Sequence, residues 1–361
     1  MYRSYKIRLK PTAKQRRALT TILALSCDLY NASLQERRDA WALRRKSISY
    51  QDQTASLTKI RAEDEDVRTV AVDIAREPLR RVDRAFKAFM RRCRAKEKPG
   101  FPRFRSKERY DSFTFGLPRI IVDRLVIPKL GHVKFKASQV LKGTLKTATI
   151  IRRRNRWEAR IICDVGLAPK KIAISTVVGI DLGLTNFVTL SNGISIDNPH
   201  WLKRHEAKIA QANQALARKQ RGSNNRVRAR LALNRAYERV VDARRNFIHH
   251  VSKYLVTNYN LIAYEDLNIK GMVQSNFSKS INDAAWGELI WQISYKAESA
   301  GRWAVPVNPK NTSQMCSTCG TIVKKTLANR VHICPCGLTL DRDHNAAINI
   351  LTVGLGKSLE Q

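Results

Sequence analysis

The run Val177-Val178-Gly179-Ile180-Asp181-Leu182-Gly183-Leu184-Thr185-Asn186-Phe187-Val188-Thr189-Leu190 leaves this chain few ways to fold. Two short β-branched, apolar stretches flank one carboxylate and two glycines. That is the pattern of a strand, a tight turn and a second strand, with Asp181 near the end of the first. Two more acidic stretches follow. In Leu261-Ile262-Ala263-Tyr264-Glu265-Asp266-Leu267, alternation puts Leu261, Ala263 and Glu265 on one face and Ile262, Tyr264 and Asp266 on the other, so either acid is a candidate ligand. In Asp341-Arg342-Asp343-His344-Asn345-Ala346-Ala347-Ile348-Asn349-Ile350, Asp343 stands at the start of a short helix that packs by its apolar side, and the Ala346-Ala347 pair permits close approach.

The chain carries 67 Lys+Arg against 30 Asp+Glu, a formal net charge of +37 over 361 residues. Self-repulsion on that scale calls for a polyanion, and nucleic acid is the partner able to supply so much negative charge. Three carboxylates at the edges of three elements then point to divalent ions working on a phosphodiester. Two such ions about 3.5–4 Å apart clamp the attacking and leaving oxygens, and hard Mg²⁺ prefers oxygen ligands to imidazole or thiolate. The amino terminus has no secretory pattern, and no run approaches the roughly 20 apolar residues that span a bilayer. A soluble, intracellular protein is expected.

Along the chain, Tyr5, Ile7 and Leu9 alternate with Lys6, Arg8 and Lys10 to make a half-exposed basic strand ended by Pro11. From Thr12 to about Arg94 the pattern is helical, with a polar break at Ser47–Thr54. Glu63-Asp64-Glu65-Asp66 reads as a helix start or a solvated loop. Strands follow up to about Leu167: Arg124–Ile127, Gly131–Phe135, Lys146–Arg152 and Arg156–Cys163, which together with the first strand suit a small β-barrel. Ala168-Pro169-Lys170-Lys171 reads as a linker. Residues 203–253 hold 14 Lys or Arg against three acids at helical spacing, with a turn at Gly222-Ser223-Asn224-Asn225, and suit a phosphate-tracking hairpin. A helix near Asp283–Ser299 carries Trp286, Trp291 and Tyr295 as packing anchors, with Trp291 equally able to stack on a base.

Seven cysteines, four of them between positions 316 and 336, argue for metal binding over disulfides. Cys316-Ser317-Thr318-Cys319-Gly320 is a CxxCG knuckle. Cys334-Pro335-Cys336-Gly337 is a CxC, one residue shorter than the usual second knuckle. Cys316, Cys319, Cys334 and Cys336 suit one structural Zn²⁺, with His332 as a substitute ligand should the short knuckle not turn.

The order of these motifs resembles the TnpB family, RNA-guided nucleases encoded by insertion sequences and related to miniature type V CRISPR effectors. The match rests on Gly179-Ile180-Asp181-Leu182-Gly183-Leu184, Tyr264-Glu265-Asp266-Leu267 and Asp341-Arg342-Asp343-His344-Asn345-Ala346-Ala347. It extends to Thr312-Ser313-Gln314-Met315-Cys316-Ser317-Thr318-Cys319-Gly320, the basic opening strand and Gly100-Phe101-Pro102-Arg103-Phe104-Arg105. The resemblance implies a multidomain α+β protein: a helical recognition region, a small wedge-like β-barrel domain, and a RuvC-like nuclease domain of RNase H type with an inserted zinc ribbon. The expected boundaries are 1–10 for the first barrel strand, 11–97 for helical recognition and 98–169 for the rest of the barrel. The nuclease domain with its basic hairpin then takes 170–308, the ribbon 309–339, and the final nuclease helix and tail 340–361.

The resemblance also assigns Asp181, Glu265 and Asp343 as the catalytic acids holding two Mg²⁺ ions, which decides between Glu265 and Asp266. Arg330 is a candidate for stabilising transition-state charge. Arg80, Arg84, Arg91, Arg103, Arg105, Arg218, Lys219, Arg226, Arg228 and Arg230 are candidate nucleic-acid contacts. The implied partners are a guide RNA from the transposon end and a double-stranded DNA target, with one protein chain per RNA and no membrane. The implied location is the prokaryotic cytoplasm, at the nucleoid when bound to DNA. A catalytically silent RNA-guided repressor is the rival expectation, although it leaves the acids without a purpose. A transposase that joins DNA ends is a third.

Overall fold

The computed structural model describes residues 1–136, 140–153, 156–272, 274, 278–326 and 329–359. They fall into two compact units, Met1–Leu167 and Ala168–Gln361.

The first unit opens with β1 (Tyr2–Leu9), which buries Tyr5, Ile7 and Leu9 and leaves the basic residues exposed. Four helices follow: α1 (Ala13–Arg44), α2 (Tyr50–Glu63), α3 (Glu65–Thr69) and α4 (Val72–Arg94). The starts of the first three are set by side chains that satisfy free amide groups. Thr12 and Gln15 form a capping box at the start of α1, and Ser49 and Asp52 form another at α2. The helical break therefore lies at Arg45–Ser49, narrower than Ser47–Thr54 and shifted toward the amino terminus. Asp64 caps α3, so the acidic run is a helix start.

Six more strands complete a seven-stranded antiparallel sheet: β2 (Ser112–Gly116), β3 (Arg119–Ile121), β4 (Arg124–Ile127), β5 (Gly131–Lys136), β6 (Thr144–Arg153) and β7 (Arg156–Asp164). The order is β2-β6-β7-β1-β5-β4-β3. β2 and β3 were not anticipated, although β2 buries Phe113 and Phe115. One core joins sheet and helices, running from Ile7, Leu125 and Ile161 to Leu23, Ile74 and Val82. Two glutamates are buried in this unit, and each is surrounded by cations. Glu77 takes Arg84 at 2.6 Å and Arg81 at 3.4 Å; Glu158 takes Arg156 at 2.8 Å and Lys6 at 3.4 Å.

The second unit has a five-stranded sheet. Its strands are β8 (Val177–Leu182), β9 (Asn186–Leu190), β10 (Ser195–Asp197), β11 (Leu261–Glu265) and β12 (Trp303–Val307), in the order β10-β9-β8-β11-β12. β8, β9 and β10 pair antiparallel, whereas β8, β11 and β12 run parallel. Between β10 and β11 lie α5 (Trp201–Ala217) and α6 (Asn224–Asn258). Ser223 caps α6, so Asn224 and Asn225 belong to the helix and not to the turn. Then come α7 (Ile269–Met272), α8 (Ser278–Ala284) and α9 (Trp286–Ser299), the last two dividing the helix expected near Asp283–Ser299.

A two-stranded ribbon, β13 (Val331–Ile333) with β14 (Thr339–Asp341), precedes α10 (Arg342–Leu359), which is longer than the short helix expected there. One face of the large sheet packs Val178, Ile180, Ile262 and Tyr264 against α6 and α9. The other packs Leu261, Ala263, Val305 and Val307 beneath Ile350 of α10. Among the described residues no helix is long and apolar enough to cross a membrane.

Candidate active site and metal centre

Parallel pairing sets the first two acids level. Ile180 stands opposite Tyr264 in the β8–β11 register, so the next residues, Asp181 and Glu265, lie at the same height at the carboxyl ends of adjacent strands. Strand alternation turns both toward the face covered by α10, since their neighbours Gly179 and Ala263 meet that helix. The approach is close: a Cβ on Gly179 would stand 2.1 Å from the Ala347 carbonyl, and one on Gly354 would stand 2.4 Å from Ala263 Cβ. Only small residues allow the helix to lie this low, and its first turn then brings Asp343 over the same edge. Asp341 fixes that turn, its carboxylate accepting from the amides of Asp343 at 2.9 Å and His344 at 3.0 Å.

Glu265 and Asp343 are buried, while Asp181 keeps a partial opening to solvent. The surrounding protein raises the Asp181 pKa to about 8: desolvation comes first, then the charges of Glu265 and Asp343, with Arg342 and the Leu182 amide opposing. Burial also pushes Glu265 up, against a hydrogen bond from the Thr312 hydroxyl. Asp343 is countered by cations, with Arg342 Nη2 at 3.0 Å and Arg330 Nη1 at 3.8 Å. Carboxylates crowded until one resists ionisation suit an added cation, and hard oxygen donors suit Mg²⁺ or Mn²⁺. Asp266 is exposed, with its amide donating to Val307 at 2.8 Å, and takes no part in this cluster.

The second centre is built differently. Cys316, Cys319, Cys334 and Cys336 place their sulfurs within 4.8 Å of one another. Cys316 and Cys336 stand 3.7 Å apart, and Cys319 and Cys334 3.5 Å. A tetrahedron with Zn–S bonds of about 2.3 Å has edges of about 3.8 Å, so the sulfurs fit zinc with little movement. The short CxC turns because Gly337 adopts φ +94°, letting its amide donate to the Cys334 carbonyl at 2.9 Å. The Thr321 hydroxyl, beside Cys319, leads in drawing that thiol down to about 6. Cys334 is pushed up to about 12: the Cys336 amide favours its thiolate, but burial and the neighbouring sulfurs outweigh it. His332 is buried beside Lys325 and is not one of the gathered ligands. Among the described residues no other three potential ligands are drawn together so closely, so the acids share an electrostatic neighbourhood and not a closed cage.

Nine of the ten expected nucleic-acid contacts are exposed, Arg226 being partly buried. Four of the ten also have partners within the protein. Arg80 pairs with Asp73 at 3.2 Å, Arg84 with Glu77, and Arg105 lies over the Tyr30 ring. Arg226 donates to the carbonyls of Leu216 and Lys219 at 3.0 and 2.7 Å, closing the α5–α6 turn. Sequence reasoning passed over Arg342, Thr312, Asn345 and Asn349, all of which touch the acids or the cysteine module. Their one signal was position, inside the same motifs as the ligands.

Three family profiles match the chain: "Probable transposase" over residues 160–276, "Cas12f1-like, TNB domain" over 286–350 and "Helix-turn-helix domain" over 1–46. Within the last range residues 13–44 form one unbroken helix. A protein of Streptomyces pristinaespiralis named "Putative RNA-guided DNA endonuclease" is 32% identical, covering 99% of this chain and 90% of that protein. The Escherichia coli K12 protein named "Putative RNA-guided DNA endonuclease InsQ" is 25% identical over 97% of the chain and 92% of its own length. Among solved structures, the Cas12f1–sgRNA–target DNA complex matches with TM-score 0.62 at 13% identity, covering 97% of this chain and 98% of that one, a likeness of fold.

Proposed function

The chain belongs to the TnpB family, which is related to miniature Cas12 proteins, and from that premise we propose that it is an RNA-guided DNA endonuclease of transposon origin. The observation that carries the proposal is the meeting of Asp181, Glu265 and Asp343 at one sheet edge in a chain of net charge +37. Relatives named as RNA-guided DNA endonucleases support it. The strand order, three antiparallel strands followed by two parallel ones with the first acid on the central strand, supports a RuvC-like domain of RNase H type.

In this reading Asp181, Glu265 and Asp343 hold two Mg²⁺ ions. Bound there, the ions supply the charge that favours in-line displacement at a phosphodiester, leaving a 5′ phosphate and a 3′ hydroxyl. The chain itself does the placing. Paired strands fix Asp181 and Glu265, the first turn of α10 fixes Asp343, and Arg342 and Arg330 hold its carboxylate until cations arrive. Arg330, more than half exposed, is free to turn toward a scissile phosphate. The cysteine module holds one structural Zn²⁺. Residues 1–169, as barrel strands and recognition helices, read the duplex flank, while pairing with a transposon-end RNA reads sequence.

The test is to sequence RNA that co-purifies with the protein from its own locus, then offer the complex a target library with randomised flanks. A transposon-end RNA with a variable 3′ guide, together with Mg²⁺-dependent cuts beside one enriched flank, is the expected result. Target occupancy without cuts would establish the repressor instead.

A further inference from the structure

Glu265 has one neutral partner that belongs to neither the sheet nor α10. Thr312 is buried, and its hydroxyl donates to Glu265 Oε1. The Pro309 carbonyl, at 3.0 Å, competes for the same proton, and an ionised carboxylate is the stronger acceptor. Thr312 lies only four residues before the first zinc-module cysteine, and the segment between is stitched down. Asn349 donates to the carbonyls of Thr312 at 2.8 Å and Met315 at 2.7 Å. Asn345 donates to the Met315 carbonyl at 2.8 Å and accepts from the Ser317 amide at 3.0 Å. Both asparagines are buried on α10, one turn apart, just beyond Asp343. Across the knuckle, Cys316 donates its amide to the Thr321 carbonyl at 2.9 Å and Gln314 accepts from Val323 at 2.9 Å. One short segment thus touches a catalytic acid at one end and carries a zinc ligand at the other.

We propose that Thr312 is a positioning residue that makes the geometry of Glu265 depend on the folded cysteine module, so that zinc in the cysteine site and divalent ions in the acid site bind cooperatively. The inference rests on the assignment of the acids as metal ligands given above. Its physical basis is twofold. A group that orients a metal-binding carboxylate is worth about 10–100-fold in metal affinity. Small metal-bound modules lose their fold when the ion leaves, and coupling between two binding events is reciprocal.

The experiment titrates Mn²⁺ into the full-length chain and follows the free ion by its electron paramagnetic resonance signal. It compares zinc-loaded protein with protein stripped of zinc and freed of chelator. Asp181→Ala defines which binding belongs to the acid site, and thermal melting confirms that each variant is folded. Thr312→Val, which keeps the shape and removes the hydroxyl, should weaken Asp181-dependent binding about tenfold. Thr312→Ser should restore it to within about twofold, because the donor returns. Zinc removal should weaken wild type about tenfold, yet change Thr312→Val little, because its link is already cut. Equal binding by wild type and Thr312→Val overturns the proposal. Equal losses in Thr312→Val and Thr312→Ser overturn it too, as does a zinc effect undiminished in Thr312→Val. Absence of any Asp181-dependent Mn²⁺ binding in wild type overturns the acid-site assignment itself, and this proposal with it.

Discussion

The second unit holds two groups of metal-type ligands built on opposite plans. All four cysteines come from two turns within a stretch of 21 residues, and the sulfurs are already spaced for an ion. The three acids come from β8, β11 and α10, spread over more than 160 residues, and gather only because a sheet register and one closely packed helix bring them together. The cysteine site has four protein ligands and no open position, which suits structure. The acid site is not a closed cage, is electrostatically costly without cations, and is partly neutralised by Arg342 and Arg330, which suits turnover. A closed site adds stability when filled, whereas an open one costs stability while empty.

The largest effect that sharpens this contrast is loss of a sulfur. Cys334→Ser should lower zinc content from about one per chain to a small fraction of that, since structural zinc in small modules contributes on the order of 10 kcal/mol. Limited proteolysis should then cut between residues 309 and 339 while β8 and β11 stay protected. Chelating Mg²⁺ alone should open nothing. If both treatments expose the same segment, the two sites are not distinct in kind.

A smaller effect tests the cost of the empty acid site. The folded Asp181 pKa of about 8, against an ordinary 3.8, means the folded chain keeps a proton that the unfolded chain releases. Stability therefore falls as pH rises from about 4 to 8 and is lowest above that window. In metal-free buffer Asp181→Asn should melt a few degrees above wild type at pH 8, the gap closing toward pH 4. Adding Mg²⁺ should raise wild type toward the variant. A gap that does not change with pH would remove the electrostatic explanation.

The same contrast governs what could be read without coordinates. The cysteine pairs were legible because their turns are local, and even the short CxC is accommodated by one glycine at positive φ. The strands carrying Asp181 and Glu265 were legible from apolar runs. Their meeting was not, because it depends on parallel pairing across 84 residues; the family resemblance chose Glu265 over Asp266 where alternation left both open. Strand β2 escaped notice because short strands between turns give little periodicity. Arg226 was legible as a charge but not as the residue that closes the α5–α6 turn through two carbonyls. Thr312, Asn345 and Asn349 were invisible for the complementary reason: neutral residues leave no trace in charge, and their worth comes from burial and partners.

Programmed cleavage tests the central claim most directly. The protein would be assembled with its own transposon-end RNA, carrying a chosen guide, and given a matching duplex with Mg²⁺. Wild type and Asp343→Asn would be compared for cutting and for target occupancy. Cutting by wild type that drops at least about 10³-fold in Asp343→Asn, with occupancy unchanged, is the predicted result. Equal cutting by both would remove the acids from the chemistry and contradict the account.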